Sequence, residues 1–215
     1  MLTNGNNISS TSAVAGYVLG GGASSRFGAN KALARFGDQP MLLCMCGLIK
    51  DVTGSVSVVA SPRSYSEFDV SITEDLWPGE GPLGGIITAM TATAETDGGR
   101  DWSLIVSCDM PFLTREWLSY MVDRALGSGV DVLFPHSASG DEPLCGCWRT
   151  AALPQLQAAF DEGVRKVTDG AKRVRVEVLD ETHWKRFDTA GRLFWNMNTQ
   201  QDYEEAVRIW RSENE

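Results

Sequence analysis

The stretch Val18–Pro40, VLGGGASSRFGANKALARFGDQP, guides the interpretation of the rest of the chain. It places three consecutive glycines ahead of Arg26 and Lys31, and a short apolar run precedes it. Glycines let backbone N–H groups approach phosphate oxygens closely, and the two basic side chains supply charge for the same anion. The stretch predicts a phosphate-binding loop after a strand, although glycine content alone would also fit an ordinary connection between a strand and a helix.

Two widespread phosphate-binding patterns do not fit this loop. In a P-loop a Gly-Lys pair is followed by Ser or Thr, whereas here Ala29 follows Gly28 and Ala32 follows Lys31. In a dinucleotide-binding fingerprint a third glycine would stand where this chain has Ser25. A dinucleotide-dependent oxidoreductase is therefore disfavoured.

Short β-branched runs alternate with helix-like segments along the chain. The predicted strands are 13–19, 55–60, 69–73, 102–107 and 130–135, and the predicted helices between them are 40–52, 82–95 and 114–127. Beyond these the pattern predicts a strand at 141–149, helices near 150–162 and 163–171, a strand at 175–179 and a last helix at 200–212. The alternation predicts an α/β fold, a three-layer, doubly wound and mostly parallel sheet.

We expect one domain over 13–215, with a nucleotide half at about 13–135 and an acceptor half at about 136–215. Residues 1–12 are polar and are expected to form a flexible tail. They have neither the basic nor the apolar region of a signal peptide, and the chain contains no membrane-spanning run. A cytoplasmic protein is therefore expected.

Composition limits the classes of partner. With 28 acidic against 19 basic residues the net charge is −9, which disfavours nucleic-acid binding. The five cysteines and two histidines lack the spacing of a zinc site, and they are expected to be reduced thiols and isolated histidines. A cluster of basic residues also stands out in this acidic chain, and it is either a binding surface for an anionic ligand or, more simply, a solvated helix face. It consists of Arg165, Lys166, Lys172, Arg173 and Arg175.

Two further loops follow predicted strands. Asp75 opens the first, whose glycines flank the start of a helix, with Pro82 suited to the first helical turn. Asp109 opens the second, directly after a buried strand, where a carboxylate is placed to hold Mg²⁺. The alternatives are an ordinary connector for the first loop and a helix-capping aspartate for the second.

Taken together, the three loops resemble Rossmann-like nucleotidyltransferases, and most closely the molybdenum cofactor guanylyltransferase family. The leader LGGGASSRFGANKAL (19–33) is similar to that family's L-A-G-G-x-S-S-R leader, with Gly20 in place of the usual alanine. Four further segments match in the same order: EDLWPGEGPLGG (74–85), CDMP (108–111), EPLCGCWR (142–149) and FWNMNTQQDYEEA (194–206). The leader is shared across the superfamily, whereas the later segments favour the guanylyl branch.

The resemblance implies transfer of GMP from GTP to the terminal phosphate of molybdopterin, with release of pyrophosphate and Mg²⁺ as cofactor. It implies a nucleotide site that comprises Leu19, Gly20, Gly21, Gly22, Lys31, Asp75 and Asp109. The implied catalytic groups are Arg26, Lys31, Asp109 and Asn198, with Asp109 also as the metal ligand. Acceptor contacts are expected from Asn196 and Asn198, and from Trp148, which could stack on a pterin. Proteins that deliver the cofactor and molybdoenzymes that receive it are the expected transient partners.

Alternative functions stay open on the sequence alone. A related transferase would cytidylylate the pterin or activate a sugar phosphate. A protein of another class would bind the nucleotide or the cofactor and hand it on without catalysis. The lysine and aspartate of the loops favour an enzyme over such a chaperone.

Overall fold

The structure is a computed structural model that describes residues 13–21, 31–96 and 99–214. The predicted tail, Gly22 and Arg26 lie outside the described residues. The strands are β1 (Val14–Leu19), β2 (Arg35–Phe36), β3 (Gln39–Pro40), β4 (Val56–Ala60), β5 (Ile72–Glu74), β6 (Trp102–Ser107), β7 (Val132–Ser137), β8 (Gly140–Asp141), β9 (Cys145–Arg149) and β10 (Val176–Leu179). The α-helices are α1 (Met41–Thr53), α2 (Pro82–Glu95), α3 (Arg115–Leu126), α4 (Leu153–Asp161), α5 (Val167–Ala171), α6 (Glu181–Trp184) and α7 (Gln200–Asn214).

The main sheet has the order β10-β7-β9-β6-β1-β4-β5, with β8 paired to β7. The neighbours β5-β4-β1-β6 run parallel, as do β10 and β7, whereas β9 runs antiparallel between β6 and β7. The chain builds outward from β1 through β4 to β5 and then returns to β6 on the other side of β1. Such a reversal opens a crevice at the carboxyl ends of the strands, which is where ligands bind in doubly wound sheets.

Helices cover both faces of this sheet. One apolar core lies between the sheet and α1, α3 and α7, and the second lies between the sheet and α2, α4 and α5. Because β1 and β6 are buried on both faces, their sequences are nearly continuous apolar runs rather than alternating ones. The predicted α/β class and three-layer arrangement are confirmed.

Most predicted elements occur within a few residues of their expected bounds. Pro82 begins α2, as its fixed φ favours, and Gly81 before it has a φ of 91° that only glycine adopts readily. The sequence did not predict the short β2–β3 ribbon or α6, which are too short to show periodicity. The long strand expected at 141–149 is instead two strands, because residues 142–144 turn between β8 and β9. The division into two halves near residue 135 stays a prediction.

Candidate active site

Three loops leave the carboxyl ends of parallel strands of the sheet and meet at one edge of it. Gly20 and Gly21 follow β1, Asp75 follows β5, and Asp109 follows β6. The short helical turn Lys31–Leu33 returns the chain to the same edge after the glycine-rich loop. The strand order therefore brings together residues that lie far apart along the chain.

Lys31 lies at the centre of this edge. Its Nζ is 3.2 Å from Oδ2 of Asp109 and donates a hydrogen bond to Oδ1 of Asn198 at 3.4 Å. The Lys31 and Asp109 side chains are each only 16% exposed, so the ion pair is partly shielded from water. The structure thus brings together three of the four residues expected to be catalytic, from three distant parts of the chain.

The backbone ties the Asn198 segment to the Asp109 loop. The Met197 N–H donates to the Asp109 carbonyl at 2.9 Å, and Asp202 accepts from the N–H groups of Asn198 and Thr199. Asp109 does not cap α3, because Thr114 does so by accepting from the Trp117 N–H at 3.2 Å. The capping explanation for Asp109 is therefore wrong, and its carboxylate faces Lys31 instead.

A cleft of about 590 Å³ opens beside this cluster. Leu19, Gly21 and Asp75 line it, together with the 78–82 turn and Ser107. A Cβ on Gly21 would lie 3.7 Å from Oδ2 of Asp75, so Gly21 and Asp75 lie close together across the cleft. Asp75 Oδ1 accepts from the Trp77 N–H, which orients the carboxylate. The cleft has the size of a small-molecule site and adjoins Lys31 through Ser107 and Asp109.

Gly20 has a structural reason to be glycine in this chain. A Cβ at Gly20 would lie 2.6 Å from Cγ1 of Val58 and 3.1 Å from Cε2 of Tyr65. The Tyr65 hydroxyl donates to the Gly20 carbonyl at 2.5 Å, and Tyr65 itself has a φ of 63°, which is uncommon for a residue with a side chain. The ring of Tyr65 and the side chain of Val58 thus take the space that an alanine methyl needs.

Two residues that the sequence did not single out also belong to the site. Ser107 donates to Oδ1 of Asp109 at 2.6 Å and so fixes the carboxylate between its hydroxyl and Lys31. Glu142 is half-buried, accepting from Ser137 at 2.8 Å and from Nδ2 of Asn196 at 3.4 Å. Burial raises the pKa of the Glu142 carboxyl, and the nearby Asp109 and Asp141 carboxylates add to the rise. Glu142 belongs to the same site as Asp109 because Asn196, which donates to Glu142, is followed by Met197, whose N–H donates to the Asp109 carbonyl.

The donor set around Asp109 fits a hard divalent cation. Among the residues that the structure describes, no three His, Cys, Asp or Glu side chains converge to hold a metal by themselves. Magnesium normally takes one or two carboxylates and completes its shell with water and substrate phosphates. Asp109, with Glu142 nearby, supplies this number of carboxylates and the right atom type.

The structure changes the interpretation of Trp148. Its side chain is fully buried on the face of the sheet that α2 and α4 cover. A ligand could not stack on this ring without opening the core, so the expected acceptor contact is wrong for this residue. Side chains alternate between the two faces of the sheet along β9, but helices cover both faces, so this alternation does not tell which side chains are exposed.

The other titratable clusters in the described part of the chain are buried or paired among themselves. All five cysteines are free, and burial raises the pKa of the Cys108 thiol, beside Asp109, to about 12, which keeps it protonated and non-nucleophilic. Each histidine pairs with a nearby surface aspartate. In the basic cluster Arg165, Lys172, Arg173 and Arg175 each pair with a carboxylate, as a solvated face would. None of the described helices combines the length and the hydropathy that a bilayer-spanning segment requires.

Comparison with known proteins now adds the family. The model of the MobA-like NTP transferase domain matches residues 16–176, which is most of the chain. The chain belongs to this family. The MobA-like match begins within β1 and includes the Lys31 turn and the Asp75, Asp109 and Glu142 loops. It ends at the first residue of β10, ahead of Asn196 and Asn198. The family assigns the nucleotidyltransferase class, whose members generally use a divalent metal.

Similar proteins agree with this MobA-like assignment. The chain is 28% identical over 196 residues to a molybdenum cofactor guanylyltransferase of Desulfosudis oleivorans, covering 90% of this chain and 94% of the relative. A protein of Pelotomaculum thermopropionicum named a probable molybdenum cofactor guanylyltransferase is 29% identical, covering 89% of this chain and 90% of that one. The crystal structure of molybdopterin-guanine dinucleotide biosynthesis protein A from Archaeoglobus fulgidus has the same fold, with a TM-score of 0.79, 23% identity, and coverage of 92% and 99%.

Proposed function

We propose that this chain transfers GMP from GTP to the terminal phosphate of molybdopterin and releases pyrophosphate. The observation that carries the proposal is the meeting of Lys31, Asp109 and Asn198 beside a cleft lined by Leu19, Gly21 and Asp75. The curated relatives named molybdenum cofactor guanylyltransferase support the choice of nucleotide and acceptor. Contacts with the proteins that deliver and receive the cofactor stay a prediction.

The reaction needs positioning more than acid–base chemistry. An oxygen of the acceptor phosphate attacks the α-phosphorus of GTP, and the bond from that phosphorus to the bridging oxygen breaks as pyrophosphate leaves with the electron pair. The attacking oxygen is already ionised near neutral pH, so no side chain has to remove its proton. The protein has to bring two anions together and stabilise the charge that moves to the leaving group.

The residues of the site divide this work between them. Leu19, Gly21 and Asp75 would hold the nucleoside part of GTP along the cleft. Lys31 would exchange its contact with Asp109 for the phosphates and stabilise charge on the departing pyrophosphate. We also assign Arg26 and Gly22, which lie outside the described residues, to the phosphates on the basis of the leader sequence. Asn196 and Asn198 would orient the acceptor phosphate.

Asp109 and Glu142 would hold the divalent cation, which we propose to be Mg²⁺. When bound, the cation would neutralise phosphate charge and align the phosphates. Ser107 contributes by fixing one oxygen of Asp109, so that the carboxylate stays turned toward the reacting groups.

Lys31→Met and Asp109→Asn test the proposal. Each removes one preorganised charge, so we expect turnover to fall about 100- to 1000-fold, measured as Mg²⁺-dependent pyrophosphate release from GTP with molybdopterin. Lys172→Met and Asp169→Asn are matched controls, since these two residues form a surface ion pair outside the site. Turnover near that of the unmodified protein in either site variant would refute the role given to that residue.

A nucleotide panel separates the alternative functions. Preference for CTP over GTP with molybdopterin would indicate a cytidylyltransferase, and turnover with a sugar phosphate would indicate a sugar-activating enzyme. Binding of GTP without pyrophosphate release would indicate a non-catalytic carrier. Only GTP-dependent release with molybdopterin agrees with the proposal.

A further inference from the structure

A second cavity, of about 380 Å³, lies on the C-terminal side of the reacting groups. Aromatic rings of Trp184, Phe194 and Trp195 line it, and the Glu181 and Asp188 carboxylates contribute polar atoms. The volume is within the range of small-molecule sites, and the mixture of flat apolar walls with a few polar groups is typical of them. The proposed nucleotide contacts leave this cavity unused.

The cavity shares a chain segment with the phosphate end of the proposed active site. Phe194 and Trp195 line it, and Asn196 and Asn198 follow them along the same segment. Ser137, which also lines the cavity, donates to Glu142, which in turn accepts from Asn196. Three residues span at most about 11 Å, so a ligand in the cavity needs an arm of that length or less to reach Asn198.

The walls of the cavity suit a flat heteroaromatic ring. The Trp184 indole donates to the His136 carbonyl at 2.9 Å, which fixes its orientation, and its ring packs edge-on against Phe194 at 5.4 Å between centroids. Trp195 also lines the cavity, and its indole N–H is buried without an acceptor among the described residues. Rings held in this way offer stacking area at low entropic cost.

The charges of the cavity select against a second nucleotide. Among the described residues that line the cavity, Glu181 and Asp188 are acidic and Lys185 is basic, and Lys185 already pairs with Glu181 at 2.8 Å. A triphosphate would meet net negative charge, whereas an aminopyrimidinone ring presents adjacent N–H donors that a carboxylate accepts well. The cavity therefore favours the ring of the acceptor over its phosphate.

We infer that this cavity binds the pterin ring of the acceptor, with the acceptor's phosphate arm directed along Asn196 and Asn198 toward Lys31. Trp184 provides a stacking face and Glu181 accepts from the amino edge of the ring. This inference rests on the proposed function for the identity of the acceptor. It adds a ring-binding site that is separate from the nucleotide cleft.

The test measures binding of 6-hydroxymethylpterin, a pterin without a phosphate, by calorimetry in the absence and presence of GTP. Glu181→Gln and Trp184→Ala should each weaken pterin binding about tenfold and leave GTP binding unchanged. Glu162→Gln is the matched control, because Glu162 is similarly exposed and is likewise paired with a basic residue, Arg173. Glu181 is an exposed helix residue, so its variant is expected to fold normally.

Competition distinguishes the two sites, because the pyrimidine edge of a pterin resembles that of guanine. Displacement of the pterin by GTP, absence of pterin binding, or binding that both cavity variants leave unchanged would each overturn the inference. Pterin binding at the cavity without GMP transfer would sustain the inference and refute the proposed function. GMP transfer whose KM for molybdopterin is unaffected by Glu181→Gln and Trp184→Ala would sustain the proposed function and overturn the inference.

Discussion

Replacement of Gly20 by alanine, the residue usual at this position in the family leader, should destabilise this chain. The new Cβ would lie 2.6 Å from Cγ1 of Val58, which is far inside van der Waals contact, and 3.1 Å from the Tyr65 ring. Val58 is fully buried in β4 and is stiff at χ1, so it cannot rotate away cheaply. Overpacking of this kind costs about 1–3 kcal/mol, and we expect about 2 kcal/mol for Gly20→Ala.

A double-mutant cycle with Val58→Ala isolates this contact. Val58→Ala alone should cost about 2 kcal/mol through the cavity it leaves. In the double variant the methyl group added at position 20 enters the space that the valine vacates, so the two effects should not add. We expect the double variant to be at least about 1 kcal/mol more stable than additivity predicts.

The cycle is measured by urea unfolding followed through tryptophan fluorescence, with unchanged m-values as the check on two-state behaviour. Calorimetric titration of GTP reports on the loop at the same time, because Gly20 precedes a residue that lines the cleft. A Gly20→Ala cost below about 0.5 kcal/mol, or additivity within that margin, would refute the steric argument.

Three further results are expected elsewhere in the molecule. Tyr65→Phe keeps the ring but removes the hydrogen bond to the Gly20 carbonyl, so the free energy of unfolding should fall by about 1 kcal/mol and GTP binding should weaken in the same titration. The Arg175 hydrogen bonds hold the pKa of Asp131 below its usual range. Arg175→Met should therefore lower the free energy of unfolding by its full amount above the unfolded pKa of about 3.9, and this difference should vanish as the pH falls through the lower folded pKa. Urea unfolding from pH 7 to 2 measures the difference, and a pH-independent value would contradict the prediction. Burial raises the pKa of Cys46 to about 11 and that of Cys145 to about 12. At pH 8 iodoacetamide should therefore alkylate these thiols about 100-fold more slowly in the native protein than in urea. Peptide mass mapping measures the two rates.

The sequence predicts those parts of the site whose position follows from strand order. Asp75 and Asp109 each follow a strand at the carboxyl edge of a parallel sheet, and the strand pattern alone placed both at one edge. The start of α2 was equally predictable from the sequence, because Pro82 and the glycine before it are local signals of a helix start.

Other parts depend on non-local pairing that no local pattern encodes. Glu142 joins the site because β9 inserts antiparallel between β6 and β7, which brings the turn before it next to the Asp109 loop. Trp148 was misjudged for the related reason that both faces of β9 are covered, so neither direction of its side chain leads to solvent. The left-handed backbone of Tyr65 has no sequence signal, since residues with side chains rarely adopt it.

The charge distribution bears on how an acidic protein could bind the two anions of the proposed reaction. With a net charge of −9, the long-range field repels GTP and a phosphorylated acceptor, so attraction must come from groups at the site itself. The basic cluster at 165–175 does not compensate, because four of its five residues are already paired with carboxylates. Lys31 differs from them in being shielded from water and in contacting both Asp109 and Asn198, whose oxygens a phosphate can replace without moving the lysine far. The attraction is therefore short-ranged and depends on placement, which is the property that a transferase needs in order to hold two repelling substrates in line.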